Sequence, residues 1–159
     1  MINAYDILRK HFGVEQKLVL VGKGGFGWEK IKDEIDKHSF KNDIIVTGFV
    51  SEQDKWSLLR NASIFVFPTN YEGFGLPVLE AQQVGVPVVT SANSSLKEIA
   101  GESAMLVDAK VASDIAEKIN ALNTNENLRQ EIIEKGFKNI ERFDWDKCAR
   151  LVAKVVVKF

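Results

Sequence analysis

Between residues 17 and 107 short apolar runs alternate with longer stretches of mixed polarity, and this alternation leaves the chain few architectures. A strand that reads as a near-continuous apolar run is covered on both faces, and successive strands separated by a helix pair in parallel. The runs are Lys17–Val21, Asp43–Thr47, Ile64–Phe67, Pro87–Thr90 and Ala104–Val107. Helical patterns fall between them at about 28–38, 52–61, 76–85 and 95–100, with another at about 2–12 before the first run. Ser51 to Asp54 and Ser95 to Glu98 have the spacing of capping pairs, so both serines are expected to start helices. Beyond residue 110 three helices are predicted, at about 111–122, 125–142 and 144–158. The last carries Leu151, Val152, Val155, Val156 and Phe159 on one stripe. The order predicts an α/β domain of Rossmann-like architecture over residues 1–159: a parallel sheet, helices on both faces, and a helical carboxy-terminal extension.

Composition narrows the function classes. The length of 159 residues suits one domain, with no repeat, linker or low-complexity tract. Lys and Arg number 21 against 22 Asp and Glu, net charge −1, so no electrostatic footprint for nucleic acid exists. A bound anion must therefore be held locally. No apolar run is long enough to cross a bilayer. One cysteine, Cys148, and an amino terminus Met1-Ile2-Asn3-Ala4 without a signal peptide's regions predict a cytoplasmic location. Cys148 reads as a small buried apolar residue. His11 and His38 fall on separate helices, far in sequence from any carboxylate partner.

In such folds ligands sit outside the carboxyl ends of the strands. The first of these loops, Gly22-Lys23-Gly24-Gly25-Phe26-Gly27, has the GxGxxG spacing of a dinucleotide site. The acidic residue that should end the following strand is missing, because Asp43 lies at that strand's start. An NAD(P) site, a plain glycine turn and a close backbone approach to some other nucleotide all stand as readings. The third loop is richer: Pro68-Thr69-Asn70-Tyr71-Glu72-Gly73-Phe74-Gly75-Leu76-Pro77-Val78-Leu79-Glu80-Ala81. Pro77 fits the first turn of a helix, and the N–H groups around Phe74, Gly75 and Leu76 then point outward at its positive end, suited to a diphosphate. Glu72 in the loop and Glu80 about one turn into the helix can face one cleft, where carboxylates accept hydroxyl hydrogen bonds from a sugar or ribose.

The segment Glu72-Gly73-Phe74-Gly75-Leu76-Pro77-Val78-Leu79-Glu80-Ala81 closely resembles the Glu-x7-Glu motif of retaining GT-B glycosyltransferases, in particular glycosyltransferase family 4. Lys17-Leu18-Val19-Leu20-Val21-Gly22, Thr47-Gly48-Phe49-Val50 and Gly85-Val86-Pro87-Val88-Val89 resemble the flanking strands of its donor-binding, carboxy-terminal half. The resemblance implies a catalytic role for Glu72 on hydroxyls of the transferred sugar and a ribose contact for Glu80. It assigns sugar and diphosphate contacts to the backbone of Gly73, Phe74, Gly75 and Leu76, a base contact to Val50, and close backbone approach to Gly22 and Gly24. It further implies a UDP- or GDP-sugar donor, no metal or other cofactor, and a carbohydrate acceptor bound through an amino-terminal domain absent from this chain. Such enzymes often build surface polysaccharide or lipopolysaccharide at the inner face of a membrane.

Departures from that pattern matter. The family's Arg and Lys that neutralise the departing diphosphate follow a strand that precedes residue 2, so the isolated chain is expected to transfer sugar poorly. A non-catalytic nucleotide-binding module is the corresponding alternative. Arg142 and Lys147 have the spacing but lie beyond every strand. Asn93-Ser94-Ser95-Leu96 replaces a small glycine loop, and Ser95 there reads as a helix cap sooner than a phosphate donor. Asp144-Trp145-Asp146 matches a metal-binding DxD but opens the last helix, where the aspartates cap N–H groups and Trp145 packs on the core. Without the preceding strand, Lys17–Val21 and Ile64–Phe67 would flank a gap of roughly 10 Å, to be filled by closure, a partner's strand or further residues.

Overall fold

The protein is described from a computed structural model, which places residues 1–157. Helices α1 (Ile2–His11), α2 (Trp28–Asp36), α3 (Glu52–Asn61), α4 (Leu76–Gln83), α5 (Leu96–Ala100), α6 (Ala112–Thr124), α7 (Glu126–Ile140) and α8 (Trp145–Val156) alternate at first with strands β1 (Leu18–Val21), β2 (Ile44–Gly48), β3 (Phe65–Phe67), β4 (Val88–Ser91) and β5 (Met105–Val107). Each strand starts one residue into its apolar run. Asp43, for instance, belongs to a single 3-10 turn, Lys41–Asp43, that feeds β2. The expected helical end at residue 158 and the stripe position Phe159 lie outside the described residues.

Local chemistry sets the helix starts. Ser51 accepts the Asp54 N–H, Asn125 the Leu128 N–H and Asp144 the Lys147 N–H, each meeting one of the orphan donors of a first turn. α4 begins differently, after Gly75 at φ +108° and with Pro77 in its first turn. Ser95 does not cap α5: its hydroxyl faces the neighbouring loop, a correction to the sequence expectation.

All strand pairs are parallel, but they form two sheets, β1–β2 and β3–β4–β5. β4, central in its sheet, is buried throughout. On one face of this larger sheet Val89 and Val107 meet Leu8 of α1 and Ile115, Ile119 and Leu122 of α6. On the other, Val88 meets Leu59 of α3, Val78 and Ala81 of α4, and Leu96 of α5. A third cluster joins Ile2 and Tyr5 of α1, Ile35 of α2 and Ile44 of β2. Val19, Val21 and Ile45 remain exposed, because α3 packs with the β3–β5 layer and leaves that face of β1–β2 uncovered.

The gap between β1 and β3 has not closed. A cavity of about 730 Å³ separates the two strands, walled by residues such as Val19, Val21, Val66, Leu58, Leu8 and Ile119. Gly22 N–H donates to Gly48 O and Phe65 N–H to Pro87 O. By the alternation of a parallel ladder, the backbone groups of Val19, Val21 and Val66 therefore turn toward the cavity, where no strand among the described residues pairs them. α1 ties the two sheets together across this gap, with Leu8 in the core of the larger sheet and Ile2 and Tyr5 in the cluster of β1–β2.

The carboxy-terminal helices divide. α6 and α7 join the core, through Ile115, Ile119 and Ile132. α8 buries no residue: Leu151, Val152, Val155 and Val156 are all more than half exposed, as is Trp145, and Cys148 is exposed rather than buried. Both readings of Trp145 and Cys148 as core residues are thus corrected, since nothing in the described residues lies against that face. His38 is likewise displaced from the expectation. It follows α2 instead of lying on it, stacks on Tyr5 and sits with Nε2 3.4 Å from Asp6 Oδ1, outside hydrogen-bond geometry.

Candidate functional site

Every residue singled out for binding lies at the carboxyl ends of β1, β2 and β3 or in the first two turns of α4. The first loop borders a pocket of about 370 Å³ that includes Gly22, Gly24, Phe26, Trp28 and Met1. Gly22, at φ +133°, has open space where a side chain would stand, so backbone is accessible there. Gly24 serves a packing need, because a Cβ would fall 2.5 Å from the Trp28 ring. Lys23 sets its ammonium 5.4 Å from the centre of the Phe49 ring, across the mouth of the first two loops. Val50 is half-buried beside it.

The third loop carries the anion-ready geometry. Among the described residues no protein acceptor meets the N–H groups of Gly73, Phe74, Gly75 or Leu76, and they cluster at the positive end of α4. Gly75 is required twice over: its φ of +108° suits glycine, and a Cβ would lie 2.6 Å from Leu96 Cδ2. Glu72 is half-buried, and its carboxylate makes no ion pair or hydrogen bond among the described residues. Its backbone, in contrast, is held on both sides. Its N–H donates to Ser94 Oγ at 3.1 Å and its carbonyl accepts from Ser95 Oγ at 2.9 Å.

Glu80 projects from α4 into the wall of the large cavity, where Lys55 of α3 donates to Oε1 at 2.9 Å. Lys55 also pairs with Glu52 at 2.9 Å and lies 5.1 Å from the Trp56 ring centre. Its pKa is raised above the ordinary lysine value, chiefly by the hydrogen bond to Glu80, then by that to Glu52. Sequence reasoning missed Lys55, because a pair formed across two helices leaves no local signal. It missed too the exposed aromatics Phe26, Phe49 and Tyr71, one on each of the first three loops, and the edge-on contact of Phe74 with Phe143 at 5.9 Å.

The structure therefore gathers the predicted residues along one edge, in three subsites. Gly22 and Gly24 line the smaller pocket, Glu80 lines the larger cavity, and Glu72 to Leu76 rim neither. Arg142 is engaged elsewhere, donating to Asn139 Oδ1 at 2.7 Å, so it does not reach the loops as a diphosphate cation. Asp144 is used as the cap of α8. No helix is long and apolar enough to cross a membrane among the described residues.

Comparison with known proteins agrees with this geometry. The O-antigen chain mannosyltransferase B of Escherichia coli is 30% identical over 148 residues, covering 93% of this chain and 39% of that protein. The chain thus spans about two-fifths of the curated relatives it matches first. The carboxy-terminal domain of the glycosyl transferase group 1 protein LpcC from Francisella tularensis superimposes with TM-score 0.76 and 26% identity, over 89% of this chain and 75% of that one. Anabaena HepE, solved in complex with UDP and glucose, shares the fold with TM-score 0.85 at 19% identity, over 99% of this chain and 44% of that one. The model of the family described as glycosyl transferases group 1 matches residues 1–139, from α1 through the Glu72–Glu80 segment to α7, and the chain belongs to that family.

Proposed function

We propose that this chain is the donor-binding half of a retaining glycosyltransferase that moves a hexose from a UDP- or GDP-sugar to a carbohydrate acceptor, in the synthesis of surface polysaccharide. The observation that carries the reading is the Glu72–Glu80 segment. A loop with four N–H groups that have no partner among the described residues stands at a helix amino terminus, between the Glu72 carboxylate and that of Glu80 on the adjoining helix face. The N–H groups of Gly73 to Leu76 bind the diphosphate, Glu72 orients hydroxyls of the sugar, and Glu80 takes the ribose diol, with Val50, Gly22 and Gly24 along the base. The mannosyltransferase relative and the UDP and glucose held by HepE support a nucleotide-sugar ligand. Glu80 already holds a donor, Lys55, so binding a ribose there means sharing or displacing that ammonium.

In this reading departure of the diphosphate is stabilised by α4's positive end, and no step is assigned to a metal ion. Further cations and the acceptor site come from polypeptide outside residues 1–159, and the same polypeptide supplies a strand for the slot between β1 and β3. The chain alone transfers sugar poorly.

Amide NMR titration of the chain with UDP, GDP, ADP and NAD tests the assignment. Shifts at Gly73 to Leu76 with UDP or GDP are expected, and Glu80→Ala should weaken binding of the free nucleotide. Shifts confined to Gly22–Gly27 with NAD, or silence with all four, would sink it.

A further inference from the structure

The turn between β4 and α5 makes hydrogen bonds that its sequence does not advertise. Ser94 is the only non-glycine residue among those described with a positive φ, +46°, a region that serine populates sparsely. That conformation turns its hydroxyl to the third loop, where Oγ accepts the Glu72 N–H at 3.1 Å. The same hydroxyl lies 3.4 Å from Asn93 Oδ1, the acceptor for its own proton, which leaves a lone pair facing Glu72. Ser95 Oγ donates to the carbonyls of Glu72 at 2.9 Å and Phe74 at 3.0 Å, sharing one proton between them. Asn93 Nδ2 donates to the carbonyls of Thr69 and Asn70, both at 3.0 Å.

We propose that Asn93, Ser94 and Ser95 are positioning residues that set the Glu72 carboxylate for the transferred sugar before any ligand arrives. The proposal rests on the nucleotide-sugar reading above and names what holds that site in shape. Three features favour a positioning role over generic loop packing. The bonds go to main-chain atoms, so they fix backbone dihedrals. They grip Glu72 on both its N–H and its C=O, which defines the direction of its Cα–Cβ bond while its carboxylate has no partner among the described residues. And they follow directly on β4, the most buried strand, so the grip is transmitted from a rigid element. Leu76 is anchored by α4, whereas the Glu72 and Phe74 carbonyls that Ser95 grips share peptide units with the Gly73 and Gly75 N–H groups, and only the Ser94 contact acts on Glu72 alone. Loosening the Ser94 contact should therefore affect the sugar more than the nucleotide, whereas loss of the Ser95 hydroxyl should weaken both.

The experiment compares wild type with Ser95→Ala, Ser94→Gly and Ser95→Thr, by calorimetric titration with UDP, UDP-glucose, GDP and GDP-mannose. The increment in affinity that the sugar adds over the matching free nucleotide should fall about fivefold to tenfold in Ser94→Gly, the loss expected when one hydrogen bond no longer preorganises Glu72, while Ser95→Ala should weaken the free nucleotide as well. Ser95→Thr, which keeps the hydroxyl, should retain most of the affinity that Ser95→Ala loses. Ser94→Gly relieves the positive φ, so its melting temperature should hold while the sugar increment drops. In Ser94→Gly, equal loss for nucleotide and nucleotide-sugar, or no loss in either, overturns the proposal. A measurement that needs no ligand runs beside it. Amide exchange at Glu72 should rise at least about tenfold in Ser94→Gly while Val88 and Val89 stay unchanged, and unaltered exchange at Glu72 refutes the clasp outright. Failure of all four probes to bind the wild type would overturn the nucleotide-sugar reading and the sugar-positioning role with it, while the amide data still judge the clasp.

Discussion

Gly75→Ala probes the joint between the third loop and the core. The new methyl meets two obstacles. The backbone is at φ +108°, ψ +39°, where a left-handed conformation costs an L-residue about 1–2 kcal/mol. Its Cβ would also stand 2.6 Å from Leu96 Cδ2. A surface leucine would swing aside, but Leu96 is fully buried among Val78, Ala81, Val88 and Ala100, so relieving the clash costs a further ~1–3 kcal/mol. The expected destabilisation is about 2–5 kcal/mol, a large share of the ~5–15 kcal/mol available to a domain. Urea unfolding of the parent, Gly75→Ala, Leu96→Ala and the double variant separates the two parts. Leu96→Ala alone should cost about 2–5 kcal/mol for its cavity. In the double variant that cavity accepts the methyl added at position 75, so the combined loss should fall short of the sum by about 1–3 kcal/mol. A Gly75→Ala protein within about 0.5 kcal/mol of the parent would refute the account, as would strict additivity in the double variant.

Three further outcomes are expected. Glu80→Gln should return the Lys55 ammonium toward its ordinary pKa when followed by NMR. Because that pKa is raised in the folded protein, the stability Lys55 lends is complete below its unfolded value of 10.5 and lost as pH rises through the folded value, so the parent should lose more stability above pH 10.5 than the variant. Amides of Val19, Val21 and Val66, turned to the unfilled slot, should exchange far faster than that of Val89; equal protection would mean that the slot is closed in solution. Asn139→Ala should cost at least about 1–3 kcal/mol in chemical denaturation, since it strands the buried Gln82 Oε1 and the Ile99 carbonyl that Asn139 Nδ2 now serves at 2.8 and 2.9 Å.

Much of the site was legible because its determinants are local. Glu72, Gly75, Pro77 and Glu80 occupy one continuous stretch, and a strand, a glycine turn and a helix start can be read from nearest-neighbour chemistry. Ser51 and Asp144 were legible as caps for the same reason. Ser95 misled, since its spacing to Glu98 suits a cap equally well and only the approach of the Glu72 loop, 23 residues away, decides where its proton goes. Trp145 and Cys148 misled similarly, because an amphipathic helix announces an apolar face but not what, if anything, covers it.

By itself the sequence determined the alternation of strand and helix, the parallel sense of the pairs, and the placing of two carboxylates and an anion-ready helix end at one edge of the sheet. These follow from periodicity and from turn chemistry, which act over a few residues. Tertiary structure alone decided that the strands part into two sheets around a cavity, that Lys55 holds Glu80, and that the β4–α5 turn grips Glu72. Each of those depends on how groups more than twenty residues apart are brought together or held apart, and such distances are set by how helices pack on a sheet.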